Sequence, residues 1–322
     1  MELKKVLLIG GSGFVGGSIA NRLSQRGVRV TIPTRHRDHT KQLTMLPTVD
    51  MVEADVHDQQ TLVTLMRGAD AVINLVGILH DGDSSAPYGK RFAAAHVELP
   101  KKILAALRAT GVRRLLHMSA LKAAPDAPSA YLRSKAEGEA VVRAAMSEFS
   151  ITVFRPSVIF GPGDSFLTTF AELLKRLPCV PLAGGRARFQ PVYVGDVADA
   201  FAASLADQRT FGQTYELGGP RVYSLHELVA YTGEVIGQRR PLLDLPAPLA
   251  RLQACLLGLL PNPPMSPDNL RSMEVDNICV GEYPELDYPG WKPQALEAVV
   301  PTYLSNVRPQ MRFNSYRHRA GR

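Results

Sequence analysis

The first 160 residues alternate two patterns in a way that admits few folds. Short apolar runs at Val6–Ile9, Val28–Ile32, Val49–Val52, Ala71–Val76, Val112–Met118 and Ile151–Phe154 are rich in Val, Ile or Leu. Between them, apolar residues recur at steps of three and four, as at Ile19 and Leu23, at Leu62, Leu65 and Met66, and at Ile103, Leu104 and Leu107. A strand that is apolar on both sides is buried on both faces, so the runs predict a parallel sheet covered by helices. Right-handed crossovers then give an α/β, doubly wound sheet of the Rossmann type.

The rhythm loosens after residue 160. Pro and Gly punctuate 161–163, 178–185 and 218–220, and helical patterns run over 165–177, 196–206 and 224–236. The expected organisation is a nucleotide-binding core over 1–160, the remaining sheet elements with a small C-terminal α/β lobe over 161–307, and a basic tail over 308–322. With 45% hydrophobic and 21% charged residues in 322, the chain has the makings of a sizeable core and not of a disordered or disulfide-stapled protein. Its three cysteines, at 179, 255 and 279, form no close pair and point to free thiols in a reducing compartment. No stretch is long enough for a signal peptide's apolar segment or a membrane span, so a cytoplasmic location is expected, including one peripheral to the inner face of a membrane.

The loop Gly10-Gly11-Ser12-Gly13-Phe14-Val15-Gly16 joins the first strand to the first helix, with glycines at 10, 13 and 16. Such spacing serves a tight turn whose backbone comes close to a pyrophosphate, which then sits on the free N–H groups of the helix. The loop therefore predicts dinucleotide binding through Gly10, Ser12, Gly13, Phe14, Val15 and Gly16. An acid at the end of the second strand would read the ribose hydroxyl of NAD. Here that position reads Thr34-Arg35-His36-Arg37, with Lys41 beyond. Arg35 and Arg37 suit a 2′-phosphate, which predicts NADP(H) over NAD(H). Asp55 and Val56 end the third strand beside the expected adenine. Leu75, Val76 and Gly77 end the fourth, where ligands of such sheets lie.

Tyr131 and Lys135, in Tyr-Leu-Arg-Ser-Lys, share one face of a helix at a spacing of four. An ammonium beside a phenol lowers the phenol's pKa towards acid–base use, and the same Lys can hold a ribose.

Together these motifs resemble the short-chain dehydrogenase/reductase superfamily in its extended and atypical branches, the NAD-dependent epimerase/dehydratase type. Arg155-Pro156-Ser157-Val158-Ile159-Phe160-Gly161 resembles the sixth-strand signature, and Pro191-Val192-Tyr193-Val194-Gly195-Asp196 the return into the sheet. Ile32-Pro33-Thr34-Arg35, the Tyr131 helix and Pro267-Asp268-Asn269-Leu270-Arg271 are similar to the nucleotide-binding accessory subunits of respiratory complex I and their bacterial relatives. The resemblance implies cofactor contacts from Pro156 and Ser157. It also implies a catalytic set of Tyr131, Lys135 and a serine, with two departures. His96 stands where catalytic relatives carry Asn. Ser119 matches a structural serine, leaving Ala120 in the place of the substrate-binding hydroxyl, unless Ser119 itself faces the pocket.

Two functions stay open. One is an accessory protein whose cofactor is structural or sensing, in a respiratory-type protein complex. The other is an NADP-dependent oxidoreductase or sugar-nucleotide epimerase/dehydratase acting on a small-molecule substrate.

Other features carry less. His80, Asp81 and Asp83 lack metal-ligand spacing, so no metal site is expected. Asp196 reads as a helix N-cap. Leu249, Leu252, Leu256 and Leu259 form an apolar helix face expected to pack on the small lobe, with peripheral membrane contact through 249–260 and the basic tail as the alternative. The net charge of +7 invites a nucleic-acid reading. Five arginines fall in 308–322 without an acid, which leaves 32 basic against 30 acidic residues elsewhere, and the tail lacks interleaved aromatics beyond Phe313 and Tyr316, so no nucleic acid is expected.

Overall fold

A computed structural model describes residues 4–35, 43–82, 86–258, 265–281 and 292–305. Seven parallel strands make the central sheet: β1 (Lys5–Ile9), β2 (Arg29–Thr34), β3 (Val49–Glu53), β4 (Ala71–Asn74), β5 (Arg114–Met118), β6 (Ser150–Pro156) and β7 (Gln213–Leu217). Their order is β7-β6-β5-β4-β1-β2-β3. The expected six runs are all present, within a residue or two of their ends. The direction of winding reverses between β1 and β4, which opens a crevice at their carboxyl ends.

One face is covered by α1 (Phe14–Gln25) and by a helix over Val194–Ser204 from beyond residue 160. The other is covered by α2 (Gln59–Met66), by a helical run over 90–110 and by the tyrosine helix (Ala130–Ala144). Within that run, Ala93–Glu98 is π-helical, the kind of local unwinding that marks functional positions. A separate core joins Phe160, Leu167, Leu174, Phe189, Leu228 and Val300 into the small lobe.

Two expectations are corrected here. The helix Ala247–Gly258 packs on the lobe through Ala250 and Ala254, and not through Leu249, Leu252 and Leu256. Leu249, Leu252 and Leu256 are 50%, 56% and 61% exposed, because the small residues permit the closer approach; Leu259 and Leu260 lie outside the described residues. Asp196 is not an N-cap. It lies inside the first turn of its helix, whose N-cap is Tyr193, and accepts hydrogen bonds from the Gln294 backbone amide (2.7 Å) and side chain (3.3 Å). Its work is to tie the segment leading into the last described helix, Leu296–Leu304, onto the sheet.

Candidate functional site

The glycine loop forms the floor of the crevice. Gly10 has φ +82°, and a Cβ there would lie 3.2 Å from the backbone of Leu75 and Val76. At Gly16 a Cβ would lie 2.5 Å from the Gly10 carbonyl and from Gly11 Cα. Glycine is thus required by conformation at one position and by helix–loop contact at the other. Ser12 and Gly13 are exposed, Phe14 and Val15 half-buried, and the first turn of α1 has no side-chain cap. Its leading amides have no acceptor within the helix and point to the crevice end, the arrangement that receives a phosphate.

From the opposite wall comes the Tyr–Lys pair. The Lys135 side chain is 3% exposed, and its Nζ donates to the Met118 carbonyl at 2.7 Å. Burial pulls its pKa down to about 8, with Glu139 one turn on acting in the other direction. Gly77 faces it closely: a Cβ at Gly77 would lie 3.9 Å from Nζ. Tyr131 packs against a small apolar cluster of Ala120, Ala127 and Leu132. Burial pushes the phenol up to about 12, against the lowering expected from a neighbouring ammonium.

Two buried histidines complete the wall, and their partners fix their protons. The Ile78 amide donates to His96 Nε2 (3.1 Å), so Nε2 carries no proton. The remaining proton sits on Nδ1 and is donated to Ser134 Oγ (2.8 Å), which donates to the Tyr131 carbonyl (2.8 Å). His117 pairs with Asn74 across β5 and β4. Asn74 Oδ1 accepts from Val76, so its Nδ2 donates to His117 Nδ1 (3.1 Å). Burial and the nearby Lys135 push His96 down to about 2 and His117 to about 3, and both are neutral.

Ser119 is 3% exposed and its Oγ has no partner among the described residues. Leu115 belongs to the core on the tyrosine-helix side and Leu116 to the opposite core. Alternation along β5 therefore turns Leu115, His117 and Ser119 towards the tyrosine helix.

Several of these groups escape motif reading. Gly138 is required because a Cβ there would lie 1.8 Å from the His96 carbonyl, so the tyrosine helix rests directly on the π-helical backbone. Glu139, 2% exposed, receives a bidentate grip from Arg155 at the end of β6 (2.8–3.1 Å). The spacing of four from Tyr131 through Lys135 to Glu139 could have signalled this. Nothing local signals Asn74 or His117, which meet only across strands.

Arg35 is exposed at the end of β2, while Arg37 and Lys41 lie outside the described residues. Asp55 is exposed and accepts from the His57 amide (2.9 Å), with Val56 half-buried beside it. Leu75 is bound to β1 through its amide and the Ile9 carbonyl (2.9 Å). The Pro156 carbonyl accepts from Leu121, and the Ser157 hydroxyl donates to Asn277 Oδ1. The Asp81 carboxylate is taken by the amides of Arg91 and Phe92, and Asp83 lies outside the described residues. The glycine cradle, the open helix terminus, the gap at Gly77 and the unpartnered Ser119 hydroxyl fit a nicotinamide dinucleotide laid from α1 to the tyrosine helix.

Comparison with known proteins agrees. A family model for the NAD dependent epimerase/dehydratase family matches residues 6–218. The mitochondrial NADH dehydrogenase (ubiquinone) 1 alpha subcomplex subunit 9 of Arabidopsis thaliana is 31% identical, covering 84% of this chain and 70% of the plant protein. The protein of the same name from Mus musculus is 30% identical, over 96% of this chain and 80% of its own length. Among solved structures, DesIV (dTDP-glucose 4,6-dehydratase) from Streptomyces venezuelae, with NAD and TYD bound, shares the fold at a TM-score of 0.70 and 20% identity, over 93% of this chain and 95% of that one. The chain belongs to the NAD-dependent epimerase/dehydratase family.

Proposed function

We propose that this chain is an NADP(H)-binding accessory protein, its dinucleotide structural or sensing, which assembles with a larger respiratory complex of the kind its relatives are named for. The observation that carries the reading is an asymmetry within the site. The half that holds a dinucleotide is complete, from Gly10 and Gly16 to Lys135. The half that would move a proton is not: Ala120, in the apolar cluster against which Tyr131 packs, stands where a substrate-binding hydroxyl is expected, and His96 has both nitrogens committed.

In this reading Gly10, Ser12, Gly13, Phe14, Val15 and Gly16 receive the pyrophosphate, Asp55 and Val56 flank the adenine, and Leu75, Val76, Gly77, Pro156 and Ser157 line the nicotinamide end. Lys135 holds the ribose beside Tyr131. The bound cofactor would supply hydride chemistry at its nicotinamide. Arg35 supports NADP(H), since an exposed cation stands where an acid would favour NAD. Direct titration should therefore give tighter binding of NADPH than of NADH, with most of the difference lost in Arg35→Ala. Equal affinities would overturn the preference.

The test of the accessory role is purification from native cells. The chain should emerge with bound nucleotide and with partner proteins, and Tyr131→Phe should leave both unchanged. Recovery as a lone, nucleotide-free chain would refute it. A second reading, an oxidoreductase or epimerase using Tyr131, Lys135 and Ser119, is favoured by the Ser119 hydroxyl alone. It requires a substrate-dependent change in NADPH absorbance that Tyr131→Phe abolishes.

Peripheral membrane contact belongs to the same reading. Three leucines stand exposed on a helix whose one charged residue is Arg251, and the last 15 residues of the chain carry five arginines and no acid. No helix among the described residues is long and apolar enough to cross a membrane. Co-sedimentation with anionic vesicles, weakened by Leu252→Ser with Leu256→Ser, tests it.

A further inference from the structure

One stretch of the small lobe reaches both walls of the crevice. Asp268, in the short helix Pro267–Ser272, accepts hydrogen bonds from the amides of Ala130 (2.8 Å) and Tyr131 (2.9 Å), the first two residues of the tyrosine helix. The third amide, of Leu132, is taken by the Ser129 hydroxyl (3.2 Å). A carboxylate from 137 positions further along the chain thus occupies a helix terminus where anions are favoured. His80, from the loop after β4, lies close enough for the Asp268 charge to act on it, and its Nδ1 is buried without a partner among the described residues.

Further along, the same stretch closes on the sheet. Asn277 Oδ1 accepts from the Ser157 hydroxyl and the Val158 amide (3.1 Å), while the Asn277 amide donates to the Arg188 carbonyl (2.8 Å). The Cys279 amide donates to Gln190 Oε1 (2.9 Å), and the Val280 amide to Glu216 Oε2 (3.2 Å) on β7. The segment 265–281 therefore bridges the tyrosine helix and the carboxyl ends of β6 and β7. Two of its anchors, the Tyr131 amide and the Ser157 hydroxyl, belong to the crevice itself.

We propose that Asp268 is a positioning residue for Tyr131 and Lys135, and that 265–281 is a strap whose seating is linked to occupancy of the dinucleotide crevice. The proposal rests on the dinucleotide reading above and adds the element through which occupancy is sensed. Linkage is reciprocal: the factor by which nucleotide favours the seated strap is the factor by which an unseated strap weakens nucleotide. Asp268 supplies two charge-assisted hydrogen bonds, each stronger than a neutral one. Their loss should weaken NADPH binding by about tenfold, equivalent to about 1.4 kcal/mol.

Hydrogen–deuterium exchange on the full chain, with and without NADPH, tests this. In the unmodified protein NADPH should slow exchange at 10–17, at 130–133 and also at 268–280. In Asp268→Ala the glycine loop should remain protected by saturating NADPH while the protection of 276–280 disappears, and Asp268→Glu should restore it in part. A merely structural Asp268 would change stability without removing the nucleotide-dependent part of the strap's protection. If NADPH protects 10–17 in the unmodified chain and leaves 268–280 unchanged, the strap proposal fails and the dinucleotide reading stands. If NADPH protects neither, both fail. The unmodified protein decides this even if the variants do not fold.

Discussion

Replacing Gly138 by alanine sets two known effects against each other. Ala is the better helix former by about 1 kcal/mol, so in an exposed helix the change would stabilise. Here the added Cβ would lie 1.8 Å from the His96 carbonyl oxygen and 2.9 Å from its carbon. An ordinary carbon–oxygen contact is about 3.3 Å, so helix and π-helical segment must separate by roughly 1.5 Å. Overpacking of this kind costs about 1–3 kcal/mol. The same movement breaks the 2.8 Å bond between Ser134 and His96, leaving buried polar groups unpaired for about 1–3 kcal/mol more. With the helix-propensity gain of about 1 kcal/mol set against these costs, net destabilisation of about 1–5 kcal/mol is expected, read from the urea midpoint at unchanged slope. Lys135 rides on the same helix, so NADPH affinity should fall with it, by about tenfold for a loss of ~1.4 kcal/mol. A Gly138→Ala protein as stable as the parent would mean that helix propensity wins and that the contact between the two segments does not constrain the site.

Gly16→Ala should abolish NADPH binding by calorimetry, since its Cβ would lie 2.5 Å from the turn that cradles the phosphate; a fluorescence or circular-dichroism melt separates this from unfolding. NADPH affinity should also fall as pH rises through about 8, where Lys135 loses its charge, and this inflection should vanish in Lys135→Arg, whose guanidinium stays charged.

The fold was legible because parallel strands buried on both faces leave unbroken apolar runs, and the glycine loop because its spacing is local. The Asp268 clamp and the Asn74–His117 pair were not legible, since each joins residues brought together by crossovers. The leucines at 249, 252 and 256 misled for a different reason. Periodicity shows that a helix has faces, and two alanines settled which one docks. Spacing placed Lys135 beside Tyr131 correctly on one helix face. It could not reveal that the ammonium donates one hydrogen bond to the Met118 carbonyl and that desolvation governs the phenol.

Glu139 and Arg155 neutralise each other, both histidines are neutral, and Lys135 remains as one cation in a dry wall. Its pKa falls from 10.5 to about 8 on folding. A depressed lysine costs stability below the folded value, and that cost fades as pH climbs from about 8 to 10.5, so this group makes the chain more stable with rising pH over that window. At pH 7 the cost is about 3 kcal/mol. Lys135→Met removes the charge in similar volume but strips the Met118 carbonyl of its donor, which returns about 1–3 kcal/mol. The two effects leave the nucleotide-free variant as stable as the parent or up to about 2 kcal/mol more stable at pH 7, while NADPH binding weakens at least tenfold. A lysine kept for packing predicts the opposite pairing, lower stability with unchanged affinity. Denaturation and titration of this one variant therefore decide whether the buried charge is retained for the fold or for an anionic ligand.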